Sequence, residues 1–145
     1  MTTFADAYSD IRSRFETMWP ALHPDIRVLW PNERIDPLVD PSIDTAWVAW
    51  ELNGGSEAIA TFGGLSNNRY RQNFDVVIHV FVEVGRGETL ARTLAADASA
   101  IYRGWQNGNI KFSSADTASS SATDESGNWS NPVDCLCSGY FDYTA

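Results

Sequence analysis

Side chains able to do chemistry are sparse in this 145-residue chain, and their spacing limits what they could do. His23 stands between Leu22 and Pro24, at the exit of a predicted helix, and His79 lies inside a Val/Ile-rich stretch. Asp75 and Glu83 share the strand face of His79, but strand positions four apart are roughly 13 Å apart. A triad there needs carboxylates from neighbouring strands, so both histidines are read as structural or surface residues. Cys135 and Cys137 alternate on one strand face at about 6.6–6.8 Å, uncomfortable for a bridge. They read as two small buried thiols, and a C-x-C pair with no further Cys or His nearby leaves a tetrahedral metal site unfilled. Gly85-Arg86-Gly87-Glu88 joins a strand to a helix but lacks the third glycine of a dinucleotide fingerprint and the Gly-Lys-Ser/Thr of a phosphate loop. The acidic stretch from Glu33 to Asp44 lacks the ligand spacing and glycine of a calcium loop. No catalytic, cofactor-binding or metal-ligating residue is assigned, and the expectation is a protein that is not an enzyme and needs no cofactor.

Composition points the same way. A 43% apolar share supports one folded domain over residues 1–145. The net charge is −9, with the ten basic residues scattered, and none follows Lys111. Asp116, Asp124, Glu125, Asp134 and Asp142 lie beyond it, so tight nucleic-acid binding is disfavoured. No apolar run reaches the ~20 residues of a membrane span. Met1 to Asp6 has neither the basic start nor the apolar core of a signal peptide, so assembly in a cytoplasm is expected. The aromatic load is high, with six Trp, five Tyr and seven Phe. Trp30, Trp47, Trp105 and Trp129 fall at strand ends, on second faces or in turns, where such residues often serve protein–protein contacts.

The elements that must position these residues follow from periodicity. Phe4, Tyr8, Ile11, Phe15 and Met18 make one helical stripe over residues 3–19, with Thr3 as N-cap and Pro20 as terminator. Residues 26–30 read as a short strand, and 31–44 as a proline-bearing acidic loop. Residues 45–52 form a strand apolar on both faces; Asn53-Gly54-Gly55 signals a hairpin, with 57–62 returning. Tyr70 to Val84 reads as a strand of close to 50 Å, long enough for its first part to project from the domain. Residues 88–105 form a second helix with Leu90, Leu94, Ala98, Ile101 and Trp105 inward. Residues 110–113 begin another strand, and Gly127-Asn128 signals a turn into a last strand ending at Tyr143. The expected fold is α+β: a two-layer sandwich of mostly antiparallel sheet and two helices, in the order α-β-β-β-β-α-β-β, with a long projecting strand or hairpin.

The chain resembles the tail-terminator-like proteins of siphophages and phage-derived gene transfer agents. The likeness rests on the first helix with Phe15 and Trp19, Trp30-Pro31-Asn32 with the acidic loop, and Trp47 to Leu52. It continues through Tyr70-Arg71-Gln72-Asn73-Phe74 into the long strand, Gly85-Arg86-Gly87, the alanine-rich helix and Gly127-Asn128-Trp129. Asn73 departs from the pattern, which has glycine before the long strand. The resemblance implies a virion structural protein: a ring, hexameric in the family, that caps the tail tube, ends its polymerisation and joins tail to head. Its implied partners are copies of itself, the tail tube protein and a head-completion or neck protein. DNA would pass through the lumen without specific binding, and no membrane is involved. Trp47, Glu51, Asn67, Asn68, Arg69, Tyr70, Arg71, Arg86 and Trp129 are the candidate contacts with a neighbouring subunit or the tube. Two alternatives stand beside this reading: another neck or tail-tube component, and a small enzyme or ligand-binding domain with a pocket between sheet and helices near His79.

Overall fold

A computed structural model describes residues 4–31, 46–61, 69–85, 88–123 and 129–144. Helix α1 spans Phe4–Leu22 and α2 spans Glu88–Tyr102; the strands are β1 (Arg27–Leu29), β2 (Ala46–Thr61), β3 (Arg69–Glu83), β4 (Gln106–Asn107), β5 (Ile110–Thr123) and β6 (Trp129–Thr144). They form one six-stranded sheet in the order β1-β2-β3-β6-β5-β4. Among the described residues only the β1–β2 pairing is parallel. The fold is the expected two-layer α+β sandwich, and the element order is α-β-β-β-α-β-β-β.

Alternation dictates the layering. Ala46, Val48 and Trp50 of β2, Phe74, Val76, Ile78, Val80 and Val82 of β3, and Val133, Cys135, Cys137 and Phe141 of β6 are all buried. They form one core with Ala7, Ile11, Phe15 and Trp19 of α1 and Ala91, Leu94, Ala95, Ala98, Ile101 and Tyr102 of α2. Both helices therefore cover the same face of the sheet. Alanine at three α2 positions lets its backbone approach the strands closely. Three elements are locked by one hydroxyl: Trp50 Nε1 donates to Tyr102 Oη at 3.0 Å, and that hydroxyl donates to the Ile11 carbonyl at 2.8 Å.

Four local expectations are corrected. The hairpin at Asn53-Gly54-Gly55 does not form, and β2 runs straight through it. The reason is β3, a 15-residue template that pairs with β2 on both sides of the glycines. The extra residue becomes an irregularity between Gly54 and Glu57, and Gln72 Nε2 donates to the Gly55 carbonyl at 2.7 Å. Pro20 does not end α1, because a proline near a helix C-terminus forfeits one hydrogen bond; the last turn still closes through His23 N–H to the Trp19 carbonyl. α2 stops at Tyr102, with Gly104 at φ 69° turning the chain so that Trp105 lies beyond the helix. The strand expected to reach Val84 ends at Glu83, and Val84 is an exposed turn residue.

The long strand is present, and burial falls away from Phe74 toward Arg69 as it extends past the helices. β5 continues well beyond Ser113, through the whole Ser/Ala/Thr stretch to Thr123. Pro132 is tolerated inside an interior strand because it falls in a bulge, where Val80 pairs with Val133 and Val82 with Ser130. No helix is long and apolar enough to cross a membrane, among the described residues. The loop expected over 31–44, apart from Pro31, and the turn at Gly127-Asn128 lie outside the described residues.

Candidate assembly surface

The sheet face away from the helices collects most of the described candidate residues. On β2 it presents Trp47 and Glu51, on β3 Phe81, His79, Val77, Asp75 and Arg71, and on β6 Asp134, Leu136, Ser138, Tyr140 and Asp142. At one end Trp47 stacks on Phe81, with centroids 4.1 Å apart and planes 10° from parallel. Leu136 lies 43% exposed in the middle.

His79 sits at the centre of this face between two strands that each lend a carboxylate. Its Nδ1 lies 2.9 Å from Asp134 Oδ1, and its Nε2 lies 3.0 Å from Glu51 Oε1. Burial works against the charged ring, but the two hydrogen bonds and the two negative charges outweigh it and raise the pKa above 6.5. An imidazole engaged on both nitrogens by carboxylates offers no free lone pair, so the trio acts as a charge clamp across β2, β3 and β6. Asp75 is not part of it; that carboxylate accepts from Ser138 Oγ at 2.6 Å. The alternative of a pocket between sheet and helices near His79 is not met, since His79 points to the other face. A shallow hollow of about 200 Å³ adjoins it, lined by Leu29, Trp30, Pro31, Ala49, Trp50 and Glu51.

A second cluster lies at the far end of the same strands. Arg71 grips Asp142 with two hydrogen bonds, Nε to Oδ1 at 2.8 Å and Nη2 to Oδ2 at 3.1 Å. Arg69 Nη2 adds a contact at 3.2 Å, and the Arg71 guanidinium covers the Tyr140 ring at 3.9 Å. Asp142 is only 3% exposed, and its hydrogen bonds from Arg71 hold its carboxyl below the usual 3.8. On the helix side Tyr70 stacks with Tyr143 at 5.6 Å.

The candidates thus separate. Trp47 and Glu51 lie on the open face by His79, while Arg69 and Arg71 meet at Asp142. Tyr70 lies across the sheet from these arginines, and Trp129 is placed by its backbone alone, opposite Glu83. Asn67, Asn68 and Arg86 lie outside the described residues. Trp30 and Trp105 are half-buried against the core, and α1 arginines cover both: Arg12 lies 4.5 Å over Trp30 and Arg14 5.4 Å over Trp105. Cys135 and Cys137 are buried free thiols with sulfurs 3.6 Å apart, and each other's proximity and burial push the Cys135 thiol far up, leaving it inert. Sequence reasoning missed Asp142 and Asp134 as partners, because strand pairing alone brings them to Arg71 and His79. Among the described residues no group of three His, Cys, Asp or Glu could hold a metal ion.

No family model and no curated protein matches the chain. A solved structure whose name carries no functional description is similar to it, with a TM-score of 0.54 and 19% identity over 93% of this chain and 94% of the other. At that identity the likeness is one of fold, a two-layer α+β domain of the same extent.

Proposed function

We propose that this chain is a structural protein of a phage-like particle, forming a ring that caps the tail tube, ends its polymerisation and joins tail to head. The observation that supports it best is the one-sided sheet: four strands of 14 to 16 residues, clad by helices on one face and bearing aromatic, charged and apolar side chains on the other. Trp, Tyr and Arg concentrated on such a surface favour protein contact. The sequence resemblance supplies the particular assembly. Copies of the chain, the tube protein and a neck protein are the partners in this reading, and an acidic chain suits a ring through which DNA passes without being held.

Electron microscopy of particles carrying a labelled chain tests the location. The label belongs at the tail–neck junction, and particles lacking the chain should carry overlong tubes or separated heads and tails. A label along the tube instead would make this a tube component, and normal particles without the chain would end the proposal.

A further inference from the structure

We infer that copies of this chain join head to tail through the two edges of their sheets, β5 of one copy against β2 of the next. The inference deepens the ring reading and rests on it for closure alone. Among the described residues, β1 covers β2 only at Trp47, Val48 and Ala49, and β4 covers β5 only at Ile110 and Lys111. Phe112 N–H still reaches the Trp105 carbonyl at 3.2 Å, but no described strand flanks β5 beyond it, or β2 from Trp50 onward.

Long open edges are usually blunted by Lys, Pro or shortness. From Ser113 to Thr123 there is no Lys and no Pro, one Asp, and otherwise only Ser, Ala and Thr. Both edge strands do carry bulges, on β2 between Gly54 and Glu57 and between Ile59 and Thr61, and on β5 between Phe112 and Ser114 and between Ser119 and Ala122. Outside the bulges lie two regular runs with no described strand beside them, Trp50 to Gly54 after the residues that β1 covers and Ser114 to Ser119 between the bulges of β5. These runs sit at one height in the sheet: Trp50 pairs with Ile78, Ile78 with Cys135, and Cys135 with Thr117.

Direction selects the occupant. β2, β3, β6 and β5 alternate strictly antiparallel, so β2 and β5 run opposite ways. A second copy placed alongside with the same orientation continues the alternation across the junction, and each copy satisfies both of its edges. A foreign strand would satisfy one. Head-to-tail interfaces of this kind build rings when the rotation closes and filaments when it does not. Two features stagger the junction. β1 blocks Trp47 to Ala49, and without a shift Glu51 would face Asp116 at the same level, a like-charge pair. A two-residue slide separates Glu51 from Asp116, sets Asn53 beside Asp116 and carries the run Ser114 to Ser119 clear of the residues that β1 covers.

Cysteine pairs on the exposed side chains test this. N53C/D116C matches the staggered register and N53C/S114C the unstaggered one. Within one copy these positions are three strand spacings apart, roughly 14 Å, beyond disulfide reach. Under mild oxidation one double variant should give a ladder of covalent multimers ending in a closed species, while N53C, D116C, S114C and the wild type stay uncrosslinked. Dimers from a single variant would overturn the inference in favour of like edges pairing about a two-fold axis. Uncrosslinked doubles alongside a multimeric wild type would overturn it while leaving the ring reading intact. A ladder without a closed species would keep the edge pairing and remove the ring.

Discussion

Gly139 has no side chain because there is no space for one. It lies in β6 between Phe74 of β3 and Phe112 of β5, whose rings meet edge to face at 5.2 Å. A Cβ at this position would stand 2.5 Å from the Lys111 carbonyl oxygen, 3.0 Å from Phe74 Cζ and 3.1 Å from Phe112 Cα. Two of these three atoms are backbone, so a side-chain rotation cannot relieve the clash; β5 has to move away from β6. Overpacking of this kind costs about 1–3 kcal/mol. The less flexible unfolded chain of the alanine variant returns about 0.4–1 kcal/mol. Gly139→Ala should therefore lose about 1–2 kcal/mol, or roughly 3–6 °C in Tm for a domain of this size. Urea and thermal unfolding followed by circular dichroism measure it, with Gly55→Ala as comparison, where the nearest atom is the Asn73 carbonyl oxygen at 3.1 Å. A Gly139→Ala loss below about 0.5 kcal/mol, the usual size of a neutral surface change, would refute the β5–β6 register on which the edge geometry depends.

Three further changes test the clusters. His79 has a raised pKa, so its contribution is fully present below its unfolded value near 6.5 and is lost as pH rises through the higher folded value. Urea midpoints of wild type and His79→Gln should accordingly converge as the pH is raised above 6.5; a pH-independent gap would contradict the charge clamp. Asp142 has a lowered pKa, so its contribution is present above 3.8 and lost as pH falls through the lower folded value. Asp142→Asn should cost about 1–2 kcal/mol near neutral pH, with the penalty shrinking in acid, because the buried carboxylate loses charge-assisted bonds while its arginine partners stay half in water. Tyr102→Phe strips the Trp50 indole and the Ile11 carbonyl of their shared partner and should cost about 1–3 kcal/mol in the same unfolding assay.

Periodicity carried much of this fold, because an alternating strand and a helical stripe each record which side faces the core. The inward face of β3 from Phe74 to Val82 and the α1 residues Ile11 and Phe15 were readable residue by residue. The glycines at 54 and 55 misled because a local turn signal says nothing of a partner strand long enough to override it. The Ser/Ala/Thr run of β5 carries almost no hydrophobic signal at an edge, where only one side is paired. The site was the least legible part: Glu51, His79 and Asp134 span 84 positions of sequence and meet only through cross-strand register. Asp142 read as part of an acidic surface, since nothing local marks it as the anchor for Arg71.

The account turns on whether the chain assembles with itself, and its mass in solution reports that directly. Light scattering across a concentration series should find a closed species near six times the 16.0 kDa of one chain, unchanged on dilution until it dissociates to monomer. A mass of 16.0 kDa at every concentration would contradict it.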